Sequence, residues 1–286
     1  MTTTALASRR VVSTVRGQPT SDGAGVKLTR VIGQRELDTL DPFLMLDEFR
    51  SDSASDYIGG FPNHPHRGFE TVTYMLAGRM RHGDNQGNSG LLTPGSVQWM
   101  TAGRGIVHSE MPEQENGLMW GFQLWVNLPA KGKMTAPRYQ DIAPERIPET
   151  EPAAGIHARV LAGRLGDVQG PVGGVAVEPV YFDLALEPGA HFAPPLPAGH
   201  NAFAYVYAGS VDIGPADASR RIERGELAVL ERDGGDVLLS AGAEPARMIL
   251  VAGKPLNEPV AKYGPFVMNT QEQIVEAIRD YQSGRF

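Results

Sequence analysis

The sequence predicts an all-β protein made of two barrels in tandem, followed by one C-terminal α-helix. Three observations support this prediction: short apolar runs between turn signals, a faint internal repeat, and an amphipathic tail. The 34 glycines and 22 prolines are spread along the 286 residues. Many short strands with turns about every 8–12 residues are typical of a β-sandwich or barrel. The alternating or apolar runs are 70–76, 120–128, 180–186, 202–207, 227–230 and 248–251.

The internal repeat predicts where the two barrels lie. Residues 73–79 (TYMLAGR) resemble residues 204–210 (AYVYAGS). Duplication of one barrel would explain the match. The segment 135–174 is rich in proline, glycine and charge, as expected of a connection between domains. We therefore predict an N-terminal barrel over residues 1–150 and a C-terminal barrel over residues 151–286.

The tail predicts the α-helix. Thr270 and Gln273 have the spacing of a capping box, and Gly284 stands where a C-terminal cap is expected. An apolar stripe with helical spacing lies between them, at Ile274, Ala277, Ile278 and Tyr281. We expect this helix to end the C-terminal barrel.

The composition argues against several classes of function. A formal net charge of −7 disfavours binding to nucleic acid, which needs a basic surface. The absence of cysteine excludes disulfides, thiolate-zinc sites and cysteine nucleophiles. Residues 1–12 lack the apolar core of a signal peptide, and no run approaches the about 20 apolar residues of a membrane helix. We expect a soluble, cytoplasmic protein that binds neither nucleic acid nor a membrane.

Two pairs of potential metal ligands lie in the predicted N-terminal barrel. His64 and His66 form one pair, and His108 and Glu110 form the other. Residues two apart on a strand point to the same face, so both pairs can converge on one ion. Imidazoles with one carboxylate and open coordination positions suit Fe(II) and, less selectively, other divalent metals such as Mn, Ni, Cu or Zn. The pairs therefore predict a reactive site with one metal per chain.

The spacing of these residues does not show which carboxylate joins the histidines. Glu70 has the same parity as His64 and His66, so either Glu70 or Glu110 can serve as ligand or base. His82 stands in a polar stretch rich in glycine and asparagine, and we interpret it as a loop residue. Three tryptophans of the first half could line an aromatic pocket, although the core is their more usual place; they are Trp99, Trp120 and Trp125.

The C-terminal barrel lacks an equivalent set of ligands. At the offset of the repeat, the positions that match His64 and His66 are occupied by Pro195 and Pro197. The nine-residue separation of His191 and His200 would put them on opposite faces of one strand. We interpret both as structural or surface histidines and expect this barrel to bind no metal.

Four long segments resemble the pirin family, a branch of the cupin superfamily. They are LDPFLMLDEF at 40–49, HPHRGFETV at 64–72, QWMTAGRGIVHSE at 98–110 and GPFVMNT at 264–270. The resemblance implies two cupin (jelly-roll, double-stranded β-helix) barrels with one iron in the N-terminal barrel. It also implies that His64, His66, His108 and Glu110 are the ligands, and so favours Glu110 over Glu70.

The same resemblance implies two kinds of function. Some pirin-like proteins are similar to quercetin 2,3-dioxygenases, oxidoreductases that open a flavonol ring with O₂ and release carbon monoxide. Here the substrate would be a flavonol such as quercetin, with Glu110 or Glu70 as candidate base. Other members act without catalysis on a protein partner, as transcriptional or metabolic co-regulators whose iron senses redox state. We expect the dioxygenase and hold the regulatory role as the alternative.

Overall fold

The computed structural model describes residues 8–286, which contain 26 strands and one α-helix. The strands up to residue 142 are β1 (Val11–Arg16), β2 (Gln18–Asp22), β3 (Val26–Ile32), β4 (Phe43–Ser51), β5 (Phe61–His66), β6 (Phe69–Ala77), β7 (Met80–Asp84), β8 (Ser89–Leu92), β9 (Val97–Thr101), β10 (Ile106–Pro112), β11 (Met119–Asn127) and β12 (Arg138–Ile142). Those that follow are β13 (Glu149–Ala153), β14 (Ile156–Ala162), β15 (Arg164–Leu165), β16 (Val168–Gln169), β17 (Val180–Leu186), β18 (His191–Phe192), β19 (Asn201–Ala208), β20 (Ser210–Ile213), β21 (Arg220–Glu223), β22 (Glu226–Leu230), β23 (Leu239–Ala241), β24 (Ala246–Gly253), β25 (Ala261–Tyr263) and β26 (Phe266–Met268). The helix α1 spans Gln271–Gln282, and 3₁₀ turns lie at Ala54–Asp56, Ala130–Gly132 and Pro144–Arg146.

The chain forms two compact units whose boundaries differ from the expected division at residue 150. The first unit comprises Gln18–Pro144 and Leu256–Phe286, and the second comprises Glu145–Pro255 with the N-terminal segment that ends at Gly17. The N-terminal segment therefore belongs to the second unit and the C-terminal segment to the first, which differs from a simple tandem order. Pairing of β1 with β22 joins the N-terminal segment to the second unit, and a bridge between Arg67 and Phe266 joins the C-terminal segment to the first; the repeat could not reveal either contact.

The first unit is built on two large antiparallel sheets, with a two-stranded sheet of β25 and β26 in the C-terminal segment. One has seven strands in the order β12-β9-β6-β11-β4-β3-β2, and the other has four in the order β5-β10-β7-β8. Gly68 separates β5 from β6, which lie in different sheets. Its φ is +89°, and a Cβ there would lie 1.9 Å from the carbonyl oxygen of Val267. Only glycine tolerates both the positive φ and this close approach.

The second unit repeats the two-sheet plan with an apolar interior. Its sheets have the orders β1-β22-β19-β24-β17-β14-β13 and β18-β23-β20-β21. Buried side chains of both sheets form one continuous core, to which Phe182, Val206, Ile213 and Leu239 belong. Burial of this apolar surface is the main source of stability of the barrel.

The N-terminal segment belongs to the second unit because of two sets of bonds. Strand β1 pairs antiparallel with β22. The buried Arg9 guanidinium donates to the backbone oxygens of His200, at 2.8 Å, and Pro197, at 2.7 Å. These charge-assisted bonds satisfy carbonyl groups that no strand reaches.

The helix α1 begins with the predicted capping box and lies in the first unit. The Thr270 hydroxyl accepts the backbone N–H of Gln273, whose side-chain oxygen accepts the backbone N–H of Thr270. Ile274 and Ala277 are buried, whereas Tyr281 at the end of the stripe is 40% exposed. The helix therefore groups with residues Gln18–Pro144, and its assignment to the C-terminal barrel stays a prediction. Along residues 8–286, no helix is both long enough and apolar enough to span a bilayer.

A buried lysine joins the C-terminal tail to the rest of the first unit. The Lys133 side chain is 1% exposed. Its ammonium group donates to the backbone oxygens of Gly68 (2.8 Å) and Val267 (2.9 Å) and to Oδ1 of Asn127 (2.7 Å). Burial lowers the pKa of Lys133 to about 8. These bonds fix the turn between β5 and β6 against β26.

We expect Lys133→Met to lower the free energy of unfolding by about 2–4 kcal/mol, because three buried acceptors would lose their donor. Urea denaturation followed by circular dichroism measures this change. The control is Lys131→Met, which alters an exposed lysine two residues away and should stay within about 0.5 kcal/mol of the wild type. Equal stabilities of the two variants would contradict a role for Lys133 in joining the tail.

Candidate metal centre

Three histidines meet on the strands β5 and β10. His64 and His66 point to the same face of β5, and His108 of β10 lies directly opposite His64 in the strand register. The ring centroids are 4.4 Å apart for His64 and His108, 4.7 Å for His64 and His66, and 4.9 Å for His66 and His108. One nitrogen from each ring lies within 4.8 Å of the others, and residues 8–286 contain no other such group of three potential ligands.

Two of these imidazoles are buried with their nitrogens unsatisfied. His66 and His108 are 2% and 1% exposed, and none of their four ring nitrogens makes a hydrogen bond. Burial, reinforced by the neighbouring histidines, lowers the pKa of both rings well below the ordinary value. Both are therefore neutral near pH 7, the form that binds metals. Because unsatisfied buried nitrogens are costly, the donor set fits a metal ion.

The third ring is oriented by a backbone carbonyl. His64 is half-buried, and its Nδ1 lies 2.8 Å from the backbone oxygen of Pro62. A carbonyl oxygen can only accept, so Nδ1 carries the proton in this contact. The lone pair of Nε2 is then free to bind a metal, as is usual for histidine ligands held by a second partner.

Glu110 is held beside the histidines by two neighbouring strands. An irregularity in the pairing of β10 with β5 sets Glu110 opposite Phe61. The carboxylate is 2% exposed. Its Oε1 accepts from the Thr73 hydroxyl at 2.9 Å, and its Oε2 accepts from the Gln123 amide at 3.1 Å. Glu110 lies outside the group of three close nitrogens, so its role as the fourth ligand stays a prediction.

Glu70 points away from this site, which contradicts its candidacy as the base. Its Oε1 accepts from the hydroxyl of Thr101 at 2.6 Å. Thr73, three residues further along β6, faces Glu110, so alternation puts Glu70 on the opposite face of the sheet. The parity shared with the histidines does not hold because Gly68 breaks the strand. Burial raises the pKa of Glu70, and the bond from Thr101 partly offsets this.

The other histidines lie outside the group. His82 is 1% exposed and lies on β7, so its interpretation as a loop residue is wrong. Its ring stacks on Tyr139 with centroids 5.5 Å apart, and its Nε2 is 3.4 Å from Oδ2 of Asp141. The polar residues that suggested a loop follow it, in the turn between β7 and β8. His191 and His200 lie in the second unit, where the His191 ring contacts the Ser240 hydroxyl and the His200 ring contacts the backbone oxygen of Glu178.

A cavity of about 580 Å³ reaches His64, His66 and Glu110. This volume is within the range of small-molecule sites. Its apolar walls include Leu28, Met45, Phe49, Phe61, Met80 and Trp125. Its charged lining residues, apart from Glu110, are Asp22, Arg30, Asp47 and Lys262. Trp125 thus lines the cavity, whereas Trp99 is buried.

Four polar residues of the site were not recognised from the sequence. Thr73 and Gln123 form a direct cross-strand pair between β6 and β11. Gln123 is a polar residue within an otherwise apolar run, and that contrast could have singled it out. Arg30 and Lys262 lie far apart in the sequence, and no local pattern brings them to one cavity.

Comparison with known proteins agrees with this arrangement. The Pirin family profile matches residues 25–126, and that of the pirin C-terminal cupin domain matches residues 181–286. The chain belongs to the pirin family. It is 53% identical over 280 residues to a Pseudomonas aeruginosa protein named "Putative quercetin 2,3-dioxygenase", covering 96% of this chain and 97% of that protein. It is 43% identical over 281 residues to human Pirin, covering 97% and 94% of the two chains.

A solved structure extends the comparison to the whole fold. The structure of quercetin 2,3-dioxygenase from Acinetobacter baumannii superposes with a TM-score of 0.89 at 35% identity, covering 98% of this pirin and 99% of that chain. The predicted fold class, two cupin domains in tandem with a C-terminal helix, is therefore confirmed. The family resemblance read from the four segments is confirmed as well.

We expect one divalent metal per chain after anaerobic reconstitution with Fe(II). His64→Ala should abolish binding because it removes one of three convergent nitrogens, whereas His191→Ala should leave it unchanged. Elemental analysis of the desalted proteins measures the metal, and circular dichroism checks that each variant is folded. Two metals per chain, none, or equal loss in both variants would contradict a single site in the first unit.

Proposed function

We propose that this pirin is a metal-dependent dioxygenase that opens flavonols such as quercetin with O₂ and releases carbon monoxide. The observation that supports this most is the largely apolar cavity that reaches Glu110 and two of the three clustered imidazoles, His64 and His66. The names of the Pseudomonas relative and of the Acinetobacter structure point to the same activity.

His64, His66 and His108 would hold the metal, and Glu110 would complete the set. Imidazoles with one carboxylate leave coordination positions open and suit Fe(II). When bound, the metal would supply a common binding point for the flavonol oxygen and O₂. The neutral state of the buried His66 and His108 rings favours such binding because no proton has to be displaced.

Glu110 is the proposed acceptor of the proton from the flavonol 3-hydroxyl. The bonds from Thr73 and Gln123 occupy one acceptor site on each carboxylate oxygen. An ionised carboxylate has about four acceptor sites, so others remain for a metal or a substrate proton. The two bonds also fix the orientation of the carboxylate, as a general base requires.

The apolar walls would exclude water and hold the aromatic rings. Phe49, Phe61 and Trp125 offer ring faces and edges on which a flat substrate can stack. Holding the flavonol in one orientation converts its encounter with O₂ into a reaction between positioned groups. Exclusion of water also limits side reactions of the deprotonated flavonol.

The regulatory alternative is a non-enzymatic pirin that binds a protein partner and uses its metal as a redox sensor. That role needs a protein-binding surface and gives no reason for an apolar cavity of about 580 Å³ beside the histidines. We therefore place the dioxygenase first.

We expect the Fe(II)-loaded protein to bleach quercetin in air, with O₂ consumed and carbon monoxide released in equal amounts. Glu110→Gln should lower kcat by about 10²–10⁴, the usual range for loss of a general base. Glu70→Gln is the matched control, because this carboxylate faces away from the cavity, and it should retain kcat within a few-fold. Spectrophotometry and an oxygen electrode measure both rates, and the metal content of each variant is determined in parallel.

The dioxygenase proposal is wrong if the metal-loaded protein leaves the quercetin absorbance unchanged in air while a known dioxygenase bleaches it. Equal rates for Glu110→Gln and the wild type, at equal metal content, would refute the role of Glu110 alone.

A further inference from the structure

Charged groups on one side of the cavity are almost fully engaged with one another. Arg30 binds Asp47 through two parallel bonds, Nε to Oδ1 at 2.9 Å and Nη2 to Oδ2 at 2.8 Å. Its Nη2 also donates to Oδ2 of Asp22 at 3.0 Å. Such bidentate pairs are strong and hold a fixed geometry. The Arg30 guanidinium is therefore paired with carboxylates of the protein itself.

Lys262 is the second cation that lines the cavity, and it is uncommitted. Within residues 8–286, its ammonium group makes no hydrogen bond and no ion pair. The charged groups that act on it are Asp38 and Asp47, which attract it, and Arg30, which repels it. Burial has the largest effect and lowers the pKa of Lys262. An ammonium in this position gains from any anion that enters the cavity.

Lys262 is exposed where the cavity meets the surface, and its side chain lines the cavity. It belongs to β25, and the cavity is also lined by Gly264 and Pro265, which follow it in the same tail. His64, His66 and Glu110 line the same cavity, so one ligand can contact both these residues and Lys262. Asp22, the acid that is more than half exposed, is screened by solvent and repels an entering anion weakly.

We propose that Lys262 is a specificity residue that binds an acidic group of the aromatic substrate, distinct from the hydroxyl that reaches the histidines. The substrate class is thereby narrowed to flavonols, or similar flat phenols, that carry a phenolate or carboxylate on a terminal ring. This inference rests on the proposed function, because it assumes that a flavonol occupies the cavity.

The test measures binding separately from turnover. The ligands are 3-hydroxyflavone, which has no second acidic group, and 3-hydroxyflavones with a carboxylate on one or the other terminal ring. Dissociation constants are obtained from the quenching of tryptophan fluorescence, since Trp125 lines the cavity. The variants are Lys262→Met, the charge-conserving Lys262→Arg, and Lys131→Met as an exposed lysine outside the cavity lining.

We expect Lys262→Met to weaken the binding of at least one carboxylated ligand by about tenfold, the effect of losing one charge-assisted hydrogen bond. The affinity for 3-hydroxyflavone should change by less than about twofold. Lys262→Arg should restore most of the loss, and Lys131→Met should have no effect. Equal weakening for all ligands, or no weakening for any, would overturn the assignment of Lys262.

The outcomes also separate this inference from the function on which it rests. If the carboxylated ligand binds in a Lys262-dependent way and quercetin is not consumed, the specificity role stands and the dioxygenase proposal falls. If quercetin is consumed and Lys262→Met binds every ligand normally, the dioxygenase proposal stands and the assignment of Lys262 falls. If the wild type binds no flavonol, both are overturned.

Discussion

The burial of imidazoles without hydrogen-bond partners is the constraint around which the first unit is organised. The four ring nitrogens of His66 and His108 are buried and have no hydrogen-bond partner. Leaving such groups unsatisfied costs about 1–3 kcal/mol for each. A metal ion would satisfy one nitrogen on each ring, so binding of a metal at this site would favour the native packing.

The C-terminal tail (residues 256–286) both contacts the buried Lys133 and contributes residues to the lining of the cavity. Lys133 joins the carbonyl of Val267 to the turn at Gly68, directly after the pair His64 and His66. The same tail contributes Lys262 and Pro265 to the cavity. A residue that docks the tail therefore also positions part of the binding surface. Substitutions at this joint should affect ligand affinity as well as folding, although they lie outside the histidine group.

Local patterns in the sequence predicted those features that depend on one strand or one helix. The spacing of His64 and His66 determined their common face, and the capping box at Thr270 determined the start of α1. Glu70 was misjudged because parity holds only within a continuous strand, and the glycine at position 68 ends that strand with a positive φ. Nothing in the local sequence shows that this glycine is a break rather than part of the strand.

Features that depend on distant pairing could not be predicted in this way. His82 was assigned to a loop because its neighbours are polar, yet it lies on β7 directly opposite Glu110 of β10. The exchange of the chain ends between the units likewise depends on partners that are far apart in sequence, such as Arg9 with His200. Hydrogen-bond partners separated by more than about 100 residues leave no periodicity to detect.

The two barrels illustrate two ways to fill the interior of the same fold. At the positions that match His64 and His66, the second unit has the exposed Pro195 and Pro197, and the buried Leu196 between them belongs to its apolar core. A single aliphatic side chain thus takes the place of a pair of potential ligands in that stretch. The apolar core stabilises the second barrel, whereas the first barrel buries His66 and His108 without hydrogen-bond partners. Substitution of histidine for Pro195 and Pro197 alone would put both imidazoles on the exposed side of this stretch.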